Sequence, residues 1–156
     1  MIAPDGFELV GRVAVRYGSD GASGRIAWKH SSATDELLIT SPLGQGIARV
    51  TRQGGEVRLV TADQKEYAAS DAESLTESVL GWRLPLAGLP DWVLGRADPA
   101  RPAHSVHDAQ SRLSELIQDD WRVEYQEYEG ARPSRLRISR ADLVIRLVVD
   151  QWVAQQ

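Results

Sequence analysis

The chain has 156 residues with 18 basic and 22 acidic side chains, a net charge of −4 with histidines neutral. That length suits one domain, 1–156, with its own core, and 42% apolar against 26% charged residues is a globular balance that excludes wholesale disorder, collagen, coiled coil and low complexity. Zero Cys excludes a disulfide framework, a thiolate metal site and a cysteine nucleophile.

Apolar runs such as Leu143 to Ile145 and Leu147 to Val149 fall far short of the roughly 18 residues of a membrane-spanning helix. The opening Met1-Ile2-Ala3-Pro4-Asp5-Gly6 lacks a positive n-region followed by an apolar h-region. Either a cytosolic protein or one whose export signal lies outside this sequence is compatible with that start.

From Phe7 to Tyr17 the apolar residues Phe7, Leu9, Val13, Val15 and Tyr17 alternate with Glu8, Arg12 and Arg16, the period of a strand with one dry face. Gly18-Ser19-Asp20-Gly21 supplies turn chemistry, and Gly24, Ile26 and Trp28 resume the alternation, so the first two strands form a hairpin. Leu37 and Ile39 continue it to a loop at 41–46, where Pro42 removes a ladder donor and Gly44 permits a tight bend. Strands are expected over Ile47 to Arg52 and Glu56 to Thr61, around Gln53-Gly54-Gly55, with a short one from Gln64 to Ala68.

The period changes at Ser70-Asp71-Ala72-Glu73, whose spacing is that of a capping box with Ser70 as the cap. A short amphipathic helix is expected over 71–80, carrying Leu75 and Val79 and ended by Gly81. A broken apolar stretch from Leu84 to Pro90 leads to a second helix of about a turn and a half over Pro90 to Gly95. After a loop at Asp98 to Pro102, strands are expected over Ser105 to Asp108, Arg112 to Gln118, Trp121 to Tyr128, Arg135 to Ser139 and Leu143 to Val149. The fold class is therefore mainly β with short helices, a sheet of about eleven strands joined by short turns and so antiparallel.

Little of this carries catalytic chemistry. His104 and His107 lie three apart in an extended segment, which puts them on opposite faces, and His30 sits at a strand end, so no metal site is expected. Asp119-Asp120 reads as a hairpin turn rather than a carboxylate pair. Phosphate-loop, nucleophile-elbow, zinc-helix and dinucleotide signatures are all missing from the sequence, so neither an enzyme nor a cofactor is expected. Five arginines between Arg132 and Arg146 alternate with Leu136, Ile138 and Ile145, the pattern of a solvated strand face more than of a nucleic-acid or anionic-surface patch. A large sheet with one apolar face needs a cover; either the helices and sheet curvature close a core or they leave a ligand cavity.

The segments Thr40 to Gly44, Tyr67 to Glu73 and Gly81 to Gly95, with the opening Gly11 to Val15 and the closing Ile145 to Trp152, resemble the LolB family of outer-membrane lipoprotein receptors of Gram-negative bacteria. The stretch Pro85 to Gly95, with its Pro-Leu-x-x-Leu-x-x-Trp-x-Leu-Gly pattern, is its most specific part, and the likeness runs from about Phe7 to Val153. It implies an unclosed antiparallel half-barrel with an α-helical lid over the concave face. It also implies a non-enzymatic receptor on the periplasmic side of the outer membrane, lipid-anchored in full length. By the same resemblance it accepts acylated lipoproteins from the periplasmic carrier LolA and inserts them into the outer membrane without nucleotide hydrolysis. The partners implied are those lipoproteins, LolA and outer-membrane lipid, with no nucleic acid, acting as a monomer. An envelope scaffold with the same fold and no lipid ligand is the alternative.

On this reading Val13, Val15, Ile26, Trp28, Leu37, Ile39, Trp121 and Val123 form the acyl-chain wall, with Leu75, Val79, Leu86, Leu89 and Trp92 in or under the lid. Leu43, between Pro42 and Gly44, matches the family's membrane-insertion loop. One 16-carbon chain fully withdrawn from water gains about 13 kcal/mol at ~0.8 kcal/mol per methylene. Three such chains would exceed the ceiling of about 21 kcal/mol for noncovalent affinity. The expectation is a shallow wall that shields chains partly and yields them to the bilayer.

Overall fold

The computed structural model describes residues 6–153; most of the opening segment read for an export signal, Met1 to Asp5, lies outside them. The elements in order are β1 (Phe7–Tyr17), β2 (Asp20–His30), β3 (Thr34–Thr40), β4 (Gly46–Gln53), β5 (Glu56–Thr61) and β6 (Glu66–Ala69). Then come α1 (Ala72–Leu80), α2 (Leu89–Trp92), β7 (His104–His107), β8 (Leu113–Gln118), β9 (Trp121–Glu129), β10 (Arg132–Arg140) and β11 (Leu143–Val153). The eleven strands form one antiparallel, unclosed sheet in the order β6-β5-β4-β3-β2-β1-β11-β10-β9-β8-β7. Each strand lies beside its sequence neighbour, as short turns require. The exceptions are that β1 lies beside β11 and that β6 and β7, with α1 and α2 between them in sequence, are the two ends of the order.

The chain forms two compact units. The first comprises the described residues of Met1–Arg12, Ser23–Pro85 and Asp150–Gln156; the second comprises Val13–Ala22 and Leu86–Val149.

In the first unit the pairings Trp28↔Leu37, Leu37↔Val50 and Val50↔Leu59 set four buried side chains in one row across β2–β5. A one-residue slip would turn them all to water, so the row fixes the register. Helix α1 packs on β5 and β6 and buries Ala72, Leu75 and Thr76. Its cap differs from the expected Ser70: the Asp71 carboxylate accepts from the Glu73 and Ser74 amides. An anionic cap on the positive end of the helix also complements its dipole. Gly81, at φ 92°, closes the other end with its amide on the Glu77 carbonyl. β6 begins at Glu66 rather than Gln64, because Gln64 takes a positive φ of 67° in the turn and donates its amide to the Thr61 carbonyl.

In the second unit the pairings Leu116↔Val123, Val123↔Ile138 and Ile138↔Ile145 make a corresponding buried row across β8–β11. Asp119 and Asp120, at φ 55° and 66°, form the β8–β9 turn, a conformation Asp tolerates. β10 reaches further back than Arg135, to Arg132, because a register shift around Ser134 lets Pro133 sit in the strand without breaking the ladder. α2 is one turn, shorter than the Pro90–Gly95 expected, and the chain leaves it through Gly95 at φ 82°. A Cβ at Gly88 would overlap the Trp92 ring, so that position holds glycine for close packing.

Candidate functional site

The proposed wall residues divide between the units. Ile26, Trp28, Leu37 and Ile39 lie together in the first, paired across β2 and β3 as Ile26↔Ile39 and Trp28↔Leu37, and all are buried. With them in that unit are Leu75, buried, and Val79, half-buried. Val15, Trp121 and Val123 are buried in the second unit and Val13 is half-buried, together with the buried Leu86, Leu89 and Trp92. Apart from Val13 and Val79, the side chains of both faces are buried.

One end of the first face is filled with aromatic rings. Phe7 meets Trp28 edge to face at 4.8 Å and Trp152 at 5.5 Å between ring centroids. Beneath them lies a charge that periodicity alone did not single out. Asp35 is 2% exposed. Its Oδ1 accepts from the Trp28 indole N–H at 2.8 Å and faces His30 Nδ1 at 2.7 Å, while Oδ2 accepts from Arg52 Nε at 2.6 Å. Arg52 also donates to the carbonyls of Ser31 and Gly54, so the hub ties the β2–β3 and β4–β5 turns together. The signal was present: Asp35 shares the odd register of Leu37 and Ile39, and an acid in an apolar register needs partners.

The second unit has a neutral counterpart. Gln118, 1% exposed, accepts at Oε1 from the Trp92 indole and the Asp98 amide at 2.9 and 3.0 Å. Its Nε2 donates to the Asp98 and Arg101 carbonyls at 2.9 and 3.0 Å. All four of its hydrogen-bonding valences are therefore used. The Tyr125 hydroxyl donates to the Trp92 carbonyl at 2.7 Å; burial pushes that phenol well above its ordinary range, so it stays a donor. The Trp121 indole N–H is buried with no hydrogen-bond partner among the described residues.

Leu43 stands apart from both faces, 91% exposed. The Gly44 amide donates to the Ser41 carbonyl at 2.8 Å, closing a turn with Pro42 and Leu43 at its corners. The Ser41 amide donates to the Gln45 carbonyl at 2.7 Å, and the Gln45 amide donates to the Ser41 hydroxyl at 3.1 Å. Proline stiffness and this cross-bonding hold the leucine out at low entropic cost. His104 and His107 are exposed on β7. Among the described residues no group of three or more His, Cys, Asp or Glu side chains has the arrangement to hold a metal, and no helix is long and apolar enough to cross a membrane.

The family model described as outer membrane lipoprotein LolB matches residues 5–152. The chain belongs to the LolB family. It is 42% identical over 149 residues to the outer-membrane lipoprotein LolB of Thiobacillus denitrificans, covering 95% of this chain and 80% of that one. To the LolB of Nitrosomonas europaea it is 43% identical over 157 residues, covering 97% and 74%. A solved LolA superfamily protein from Nitrosomonas europaea shares the fold, with a TM-score of 0.58 at 10% identity over 99% of this chain and 88% of that chain. LolB membership places the protein at the outer membrane, in lipoprotein localisation.

Proposed function

We propose that this LolB accepts acylated lipoproteins from the carrier LolA, shelters their acyl chains against its apolar faces, and passes them to the outer membrane without nucleotide hydrolysis. The observation that carries the reading is Leu43: a leucine 91% exposed on a cross-bonded turn, where most other large hydrophobic side chains among the described residues are buried. Leu43 is the membrane contact on this reading; Ile26, Trp28, Leu37 and Ile39, with Leu75 and Val79, are the acyl-chain face of the first unit, and Val13, Val15, Trp121 and Val123, with Leu86, Leu89 and Trp92, that of the second. On this reading a lipid anchor holds the protein at the periplasmic face of the outer membrane.

Direction needs no fuel. The wall side chains other than Val13 are already covered by protein, so an entering chain replaces mainly apolar contacts rather than water. Its net gain falls well below the ~0.8 kcal/mol per methylene of full transfer from water. A bilayer solvates the chain completely and therefore holds it better, and differential affinity sets the flow. Mixing LolA loaded with an acylated lipoprotein, this protein and vesicles in nucleotide-free buffer tests the reading. Cargo is expected in the vesicle fraction only when both proteins are present. Cargo that stays on LolA would overturn it.

A further inference from the structure

The solvent face of the first unit carries a feature that lipoprotein transfer alone does not use. Across β2–β5 the register aligns Ala27, Leu38, Arg49 and Val60 in one row, on the opposite side of the strands from Trp28, Leu37, Val50 and Leu59. Leu38, Ile47, Arg49, Val60 and Ala62 line an open groove of about 310 Å³. Ile47 is 39% exposed, and its carbonyl accepts from the Ala62 amide at 3.2 Å, fastening the β5–β6 turn alongside.

Arg49 is the one charged residue in that lining, and it makes no ion pair among the described residues. Its neighbours do: Arg52 holds Asp35, Arg58 faces Glu56 and Glu66, and Lys65 faces Asp63. Asp63 thus faces Lys65, and Glu56 and Glu66 share Arg58. The lining includes Gly46, three residues after Leu43, so the groove opens within about 10 Å of chain from that tip.

We infer that this groove is a second contact with the bilayer, in which Arg49 binds the phosphate of an anionic phospholipid while Leu38, Ile47 and Val60 meet the hydrocarbon beside it. An unpaired guanidinium flanked by apolar side chains complements a molecule that sets a phosphate next to alkyl chains; the planar donor fork suits phosphate oxygens. Leu43 alone would pin one point, whereas Leu43 and the groove together fix how the first unit meets the membrane. This inference rests on reading Leu43 as a membrane contact.

The test is flotation of the protein without its lipid anchor on vesicles of phosphatidylethanolamine, with and without phosphatidylglycerol. The variants are Arg49→Gln, Ile47→Ser and Leu43→Glu, each checked for an unchanged thermal midpoint. Arg49→Gln should weaken binding about fivefold on phosphatidylglycerol vesicles, the weight of one basic side chain at an anionic surface, and leave binding to phosphatidylethanolamine alone unchanged. Ile47→Ser should weaken binding to both. If both variants bind like wild type while Leu43→Glu does not, the groove proposal is overturned and the loop reading stands. If Leu43→Glu binds like wild type while Arg49→Gln is impaired, the groove stands and the loop reading fails. An Arg49→Gln protein with normal vesicle binding but slowed acceptance from LolA would assign the groove to a protein partner, again overturning the proposal.

Discussion

The Trp92 indole N–H donates to the Gln118 carbonyl oxygen at 2.9 Å, fastening the single turn of α2 to the end of β8. A four-residue helix has almost no stability of its own, so this bond and the Tyr125 hydroxyl on the Trp92 carbonyl hold it in place. Gln118→Leu would strand the Trp92 and Asp98 donors and two backbone carbonyls. A loss of about 3 kcal/mol in urea-unfolding stability is expected, with a red shift of indole emission. An unchanged unfolding midpoint would show that the network contributes little.

Asp35 should behave as the most costly single charge to remove. Asp35→Ala leaves the Arg52 Nε and the Trp28 indole without their carboxylate acceptor and is expected to destabilise by about 3 kcal/mol, the lower range for a broken buried pair since Arg52 is partly exposed. Asp35→Asn, which keeps an oxygen for Trp28, should cost less. Equal losses in denaturant titrations of the two variants would mean that the hydrogen bond to the Trp28 indole carries no weight.

The helix cap gives a pH signature. The Ser74 hydroxyl, followed by the Glu73 and Ser74 amides, holds the Asp71 carboxyl below its ordinary value. A carboxylate lowered on folding stabilises the protein above its unfolded pKa of about 3.9, and that contribution is lost as pH falls through the folded value. Asp71→Ala should therefore cost about 1 kcal/mol near neutral pH, and the gap to wild type should narrow below about pH 4. A gap that stays constant to pH 2 would contradict the assignment of Asp71 as a charged cap.

Leu43→Glu separates stability from function. With the side chain 91% exposed, unfolding free energy should stay within about 0.5 kcal/mol of wild type. Delivery of lipoprotein to vesicles should nonetheless fall at least tenfold, read as cargo retained in the soluble fraction. Normal delivery by the variant would remove the loop from the mechanism.

Most of the sheet was readable because period-two alternation and turn residues are local: Phe7–Tyr17 and Glu56–Thr61 match expectation residue for residue. What was missed depends on competition or distance. Ser70 and Asp71 both have capping chemistry, and only geometry showed the carboxylate taking the amides. Gln118 gives no periodic signal because its partners, Trp92, Asp98 and Arg101, are remote in sequence. Alternation identified Ile26, Trp28, Leu37 and Ile39 as one buried face but could not tell core from lipid-binding wall, since both need the same side chains. Arg49 went unremarked because a charge on the wet face of a strand looks ordinary until its neighbours prove to be paired.

If acyl chains rest against these apolar faces, lipopeptides carrying bromine along the acyl chain, a short-range quencher of indole fluorescence, will report it in variants that keep only Trp28, only Trp92 or only Trp121. Acylated brominated lipopeptide should quench these indoles, the deacylated peptide should not, and adding vesicles should restore the emission. Lipopeptide binding without quenching of any of the three would contradict that contact.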